Sequence, residues 1–168
     1  MGTQHRRRTG DRGAALIEMA IAAPLLLALV FGVIDFGVNL SNQVAVRQGV
    51  REGARQAIVA APGAEGIDEI VELTKERVAA DVPGLRVRVV ASAVGEAAAG
   101  EPGSDLTVCA QAPMRSLTGF FGPILDGRVI TSHVTMRVEQ PLPWVDSGLT
   151  GGDDAPPDGS WSWCRAEV

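Results

Sequence analysis

Residues 13–37 read Gly-Ala-Ala-Leu-Ile-Glu-Met-Ala-Ile-Ala-Ala-Pro-Leu-Leu-Leu-Ala-Leu-Val-Phe-Gly-Val-Ile-Asp-Phe-Gly, and this stretch decides how the rest of the chain is arranged. From Met19 to Ile34 every residue is apolar, glycine or proline, and Ala14 to Ile17 add apolar length on the far side of Glu18. At a rise of ~1.5 Å per residue, residues 14–36 form a helix of roughly 30 Å, enough to cross the hydrocarbon core of a bilayer. Glu18 is out of character. An ionised carboxyl near hydrocarbon costs several kcal/mol unless it is paired, neutralised or able to reach the interface.

Toward the N-terminus, residues 1–13 form a basic leader with Arg6, Arg7, Arg8 and Arg12 against Asp11 alone. Basic flanks tend to remain in the cytoplasm, so the expected topology is a single pass through the cytoplasmic membrane, N-terminus inside and the bulk of the chain extracytoplasmic. Arg47, Arg51 and Arg55 lie beyond the helix, but no basic residue falls between Phe36 and Val46, so proximity favours the leader. The apolar core exceeds the 7 to 15 residues usual in a cleaved signal peptide, and Asp35 to Gln43 offers no small-x-small cleavage site. A retained anchor is the better reading.

Toward the C-terminus the pattern becomes amphipathic. Leu40, Val44, Val46, Val50, Ala54, Ala57 and Ile58 recur at helical spacing, which predicts that the membrane helix (14–37) continues outward as an extension over 38–61, ended by Pro62-Gly63. Gly49 and Gly53 weaken that helix by about 1 kcal/mol each relative to alanine. Arg47, Arg51 and Arg55 form a basic stripe, either a solvated face or a contact for an acidic partner. A second helical pattern follows Gly66, with Ile67, Ile70, Val71, Thr74, Val78 and Val82 on one face and Pro83-Gly84 as its stop.

Three β-branched runs come next: Leu85–Val94, Asp105–Ala112 and Arg128–Val138, with an irregular or briefly helical apolar segment over 113–126. The expected class is α+β. The second helix and the rod pack on a small antiparallel sheet of about three strands, giving a domain over 66–143. Residues 146–160 are rich in Gly, Asp, Pro and Ser and too poor in apolar groups to fold, so 144–168 reads as a disordered, flexible tail ending in Trp161, Trp163 and Cys164.

Within 168 residues at a net charge of −5, no domain-wide basic surface exists for nucleic acid. Catalytic constellations are missing. His5 and His133 lack spacing partners for a metal or a nucleophile, and Asp153, Asp154 and Asp158 do not follow EF-hand spacing. The expectation is a non-enzymatic protein with no cofactor and no small-molecule substrate. The two cysteines, Cys109 and Cys164, are either separate thiols or, on an extracytoplasmic side, a disulfide that returns the tail to the sheet. Otherwise Trp161 and Trp163 are candidates for a partner contact.

The leader and helix together carry a specific combination. Gly13-Ala-Ala-Leu-Ile-Glu18 resembles a type IV pilin processing site, a glycine closing a basic leader and a glutamate at the fifth residue of the helix. The longer run from Arg12 to Gly37, with Val50-Arg-Glu-Gly-Ala-Arg-Gln-Ala57, resembles the TadE-like family of pseudopilins from tight-adherence (Flp-type) pilus systems. Met19 departs from the aromatic residue that Flp-type pilins and many relatives carry after the glutamate.

The resemblance implies cleavage between Gly13 and Ala14 by a membrane-embedded prepilin peptidase. It also implies partners among other pilin-like subunits and pilus assembly proteins. A new α-amine at Ala14, with a free pKa of ~8, would be largely cationic at neutral pH and would give Glu18 a counter-charge in its own chain or a neighbour's. The competing expectation is a membrane-anchored binding module of the cell envelope unrelated to pili.

Overall fold

In the computed structural model, which describes residues 8–59, 66–78, 82–142, 150–154 and 160–164, one helix runs through both the apolar stretch and the amphipathic stretch after it. This helix, α1 (Arg8–Val59), is 52 residues long and carries Pro24 in its interior. Pro24 removes one amide donor from the ladder, a defect tolerated in apolar helices. No residue of the most apolar window is buried by the rest of the chain, and this is the one candidate membrane span among the described residues. Pro62-Gly63 lies outside the described residues.

The outer half of α1 is a packing element. Val46, Val50, Ala54 and Ala57, at steps of four, four and three residues, are almost wholly buried and form one side of the core. Against them lies α2 (Ile67–Arg77), through Ile70, Val71 and Thr74. The helix ends sooner than its apolar spacing suggests. Val78 donates back to the carbonyls of Thr74 and Lys75 and closes the helix, and Val82 joins the core from beyond it.

Gly49 and Gly53 turn out to be what lets the helices meet. A Cβ on Gly53 would overlap Thr74 Oγ1, and one on Gly49 would overlap Val78 Cγ2 and sit 3.0 Å from the Val78 amide. Their propensity cost is offset by a close helix crossing that no larger residue permits.

The sheet is antiparallel with strand order β3-β2-β1-β4. Its strands are β1 (Arg86–Ser92), β2 (Asp105–Pro113), β3 (Val129–Arg137) and β4 (Thr150–Gly152). Register sorts the two faces. Val87, Ala110 and Ser132 share one row, as do Val89, Val108 and Val134, and both rows face the helices. Arg88, Cys109 and His133 share a row on the opposite face.

The fourth strand is a correction to the expected three. It comes from the segment read as unable to fold, and specific contacts compensate for its lack of apolar mass. Gly151 lies so close to Ile67 that a Cβ would stand 2.8 Å from its side chain, and Gly152, at φ 118°, adopts a backbone that favours glycine. Asp153 then extends the ladder. Its amide donates to Val87 O (2.9 Å), its Oδ2 accepts from the Val87 amide (3.0 Å) and its Oδ1 accepts from Lys75 Nζ (3.1 Å). Of the rest of the tail, the structure describes residues 160–164.

Candidate functional site

Three groups of residues bear on function, two of them on α1 and the third on the sheet face turned away from it. The first is the start of the apolar helix. Gly13, Ala14 and Glu18 are all exposed, and Gly13 has open space where a side chain would be. None of the ion pairs among the described residues includes Glu18. Helix backbone runs unbroken through the Gly13–Ala14 bond.

The second group lies where the apolar stretch ends, and the sequence reading missed it. Asp35 is buried, although it belongs to an otherwise exposed stretch of helix. Its carboxyl group is enclosed by the loop between β2 and β3. Oδ2 accepts from Ser116 Oγ (2.6 Å) and Thr118 Oγ1 (2.7 Å), and Oδ1 accepts from the amides of Leu117 (2.8 Å) and Thr118 (2.9 Å). One turn later Asn39 completes the attachment. Its Nδ2 donates to Arg115 O (2.9 Å) and to Asp35 O (2.8 Å), and its Oδ1 accepts from the Arg115 amide (3.3 Å).

Two polar side chains at i and i+4 on one helix face thus hold four consecutive loop residues. The aromatic contacts continue in the same direction. Phe121 packs on Gly32 and, edge to face, on Phe36 (5.7 Å between ring centroids), and Phe120 reaches Phe31 (5.9 Å). Gly32 has no side chain to keep the Phe121 ring away.

The third group is the outer face of the sheet. Cys109 on β2 is bonded to Cys164, so the end of the chain is tied across that face. Trp161 is buried there beside Val90, donates from Nε1 to Asp153 O (3.1 Å) and lies under the Arg88 guanidinium. Trp163 packs between Trp161 and His133. Trp161 therefore spends its apolar surface within the chain, leaving Trp163 half-buried as the more available ring. Lys75, between Glu72 and Asp153, is partly desolvated, but its hydrogen bonds to both carboxylates outweigh burial and raise its pKa above the usual lysine value.

Arg47, Arg51 and Arg55 are exposed as a stripe on α1, with Arg55 bonded to Glu52 (2.7 Å). No three His, Cys, Asp or Glu side chains stand together as a metal site among the described residues.

Comparison with known proteins places one segment. Residues 13–55 match the family model described as TadE-like protein. Over these residues the chain is similar to TadE-like proteins. The match begins at Gly13 and ends at Arg55, so it takes in the candidate span, the Asp35 and Asn39 attachment and the Gly49 and Gly53 crossing. The sheet and tail lie beyond the TadE-like segment. No curated protein and no solved structure matches the chain.

Proposed function

We propose that this chain is a single-pass, non-enzymatic, pseudopilin-like membrane protein that takes part in assembling a tight-adherence (Flp-type) pilus or a related secretion machine. The observation that carries the reading is the TadE-like match starting at Gly13, on a helix whose first apolar turns carry an exposed acid, Glu18, that has no ion-pair partner among the described residues. In this reading the N-terminus is cytoplasmic and the α+β domain extracytoplasmic, where the Cys109–Cys164 bond is chemically at home. A prepilin peptidase cuts after Gly13, and the new amine of Ala14 meets Glu18 of a neighbouring subunit inside the membrane. Pairing neutralises a carboxyl that is otherwise costly there, so subunit association gains the energy that the isolated helix forfeits.

Glu18→Ala tests this reading. Insertion should be unchanged or improved, because a costly acid is gone, while pilus assembly in cells carrying the variant should fall. Wild-type assembly with Glu18→Ala would refute the role.

A further inference from the structure

The loop between β2 and β3 does something that neither the span nor the core requires. Asn39 holds Arg115, Asp35 holds residues 116–118, and Phe120 and Phe121 lie at Phe31 and Gly32. From Asn39 back to Phe31 is a descent of about 12 Å along the helix axis, into the apolar run. The loop tip therefore stands alongside the last turns of the stretch read as membrane-spanning. Its outward side is apolar, with Leu117 72%, Phe120 56% and Ile124 51% exposed.

Two features distinguish this tip from an ordinary surface loop. Every amide from Leu117 to Asp126, except that of Phe121 and the absent one of Pro123, donates within the loop or to Asp35. Backbone that leaves water has to be satisfied in this way, whereas a solvated loop has no such need. Exposed arginines, Arg115 and Arg128, also flank the apolar tip where the two ends of the loop meet, the Met114 amide donating to Arg128 O (2.8 Å). Two arginines against one exposed acid, Asp126, leave the base of the apolar tip net cationic, the charge order of an element seated at a lipid interface.

We propose that residues 117–124 are a second membrane contact. Leu117, Phe120 and Ile124 enter the acyl region of the leaflet on the domain's side, and Arg115 and Arg128 lie at the phosphates. The exposed apolar surface of the tip is continuous with that of the helix, so one bilayer covers both. With the loop seated, the domain is held at fixed depth and the helix at fixed tilt. This rests on the reading of residues 14–36 as a membrane span.

The test uses the full chain reconstituted in vesicles of phosphatidylcholine and phosphatidylglycerol. Since the native cysteines are bonded to each other, a thiol introduced by Leu117→Cys or Ile124→Cys can be labelled with an environment-sensitive fluorophore. Leu25→Cys in the span and Glu101→Cys, before the far end of β2, serve as references. The expected result is quenching of labels at 117 and 124 by a lipid carrying a shallow acyl-chain nitroxide and of the label at 25 by one carrying a deep nitroxide, with iodide quenching at 117 and 124 several-fold weaker than at 101.

Iodide access equal to that at 101 would overturn the proposal. So would shielding from both quenchers, which would assign the surface to another protein or a second copy of this chain. Lipid quenching at 25 but not at 117 and 124 overturns this inference alone, and its absence at 25 as well overturns the spanning reading on which it rests.

Discussion

Replacing Gly53 by alanine separates two effects that the structure sets against each other. Alanine is the better helix former by ~1 kcal/mol, so helix propensity favours the substitution. The new Cβ, however, would overlap Thr74 Oγ1 and lie 3.0 Å and 3.1 Å from Thr74 Cβ and Cγ2. Thr74 cannot simply turn away. It is fully buried, its Oγ1 donates to Ile70 O (2.7 Å), and the Cβ contact does not depend on rotamer.

Overpacking of this kind costs ~1–3 kcal/mol, and a clash with a Cβ belongs in the upper part of that range. The net effect of Gly53→Ala is therefore a loss of about 1–2 kcal/mol. Gly37→Ala is the matched control, since nothing lies within 4 Å of a Cβ there and propensity acts alone. It should be neutral or stabilising by up to about 1 kcal/mol. Guanidinium unfolding of the full chain in detergent micelles, with the disulfide intact and tryptophan emission as the probe, measures both. Adding Thr74→Ala to Gly53→Ala should cost less than the two single changes summed, because the overlapping hydroxyl is gone. A Gly53→Ala protein as stable as wild type would refute the close-crossing argument.

Reducing the Cys109–Cys164 bond, which joins residues 55 apart, should remove up to ~4 kcal/mol of stability in the chain-entropy model and make Trp161 accessible to iodide. Unchanged quenching would show that the tail docks without the bond. Asp35→Ala should raise hydrogen exchange at the Leu117 and Thr118 amides by roughly 10- to 100-fold while leaving Val108 in the sheet centre protected, and equal protection at 117 and 118 would contradict the role of Asp35 in holding the loop. Lys75 has a folded pKa above its ordinary value, so its contribution to stability is fully present below that value and is lost as pH rises through the raised one. Trp161 emission should accordingly be flat between about pH 7 and pH 10 and change only at higher pH, whereas a transition near neutrality would point to another group.

The helices and three strands were legible because each repeats a pattern that only one geometry satisfies. Val46, Val50, Ala54 and Ala57 share a helix face, and Arg86 to Val90 alternates as a half-buried strand does. The fourth strand was not legible, since Thr-Gly-Gly carries no periodicity. It is fixed instead by Asp153 bonding to Val87 and Lys75, contacts between residues more than sixty positions apart. Gly49 and Gly53 looked like weaknesses because a helix in isolation is weakened by them, and only the position of Thr74 and Val78 reverses the sign.

The attachment of the loop to α1 was hidden for a related reason. Asp35 and Asn39 lie four apart on an otherwise apolar face, and Ser116 and Thr118 interrupt an apolar loop. Each pair hints at a partner, but the distance along the chain between them conceals the match. The TadE-like match begins at Gly13, the glycine that closes the basic leader.

If Gly13 and Glu18 act as a processing and assembly signal, the mature N-terminus shows it most directly. Mass spectrometry of the protein recovered from the envelope of cells containing a prepilin peptidase should find a chain that begins with a free amine at Ala14. Peptides reading through Arg12-Gly13-Ala14 as the main species under those conditions would contradict it.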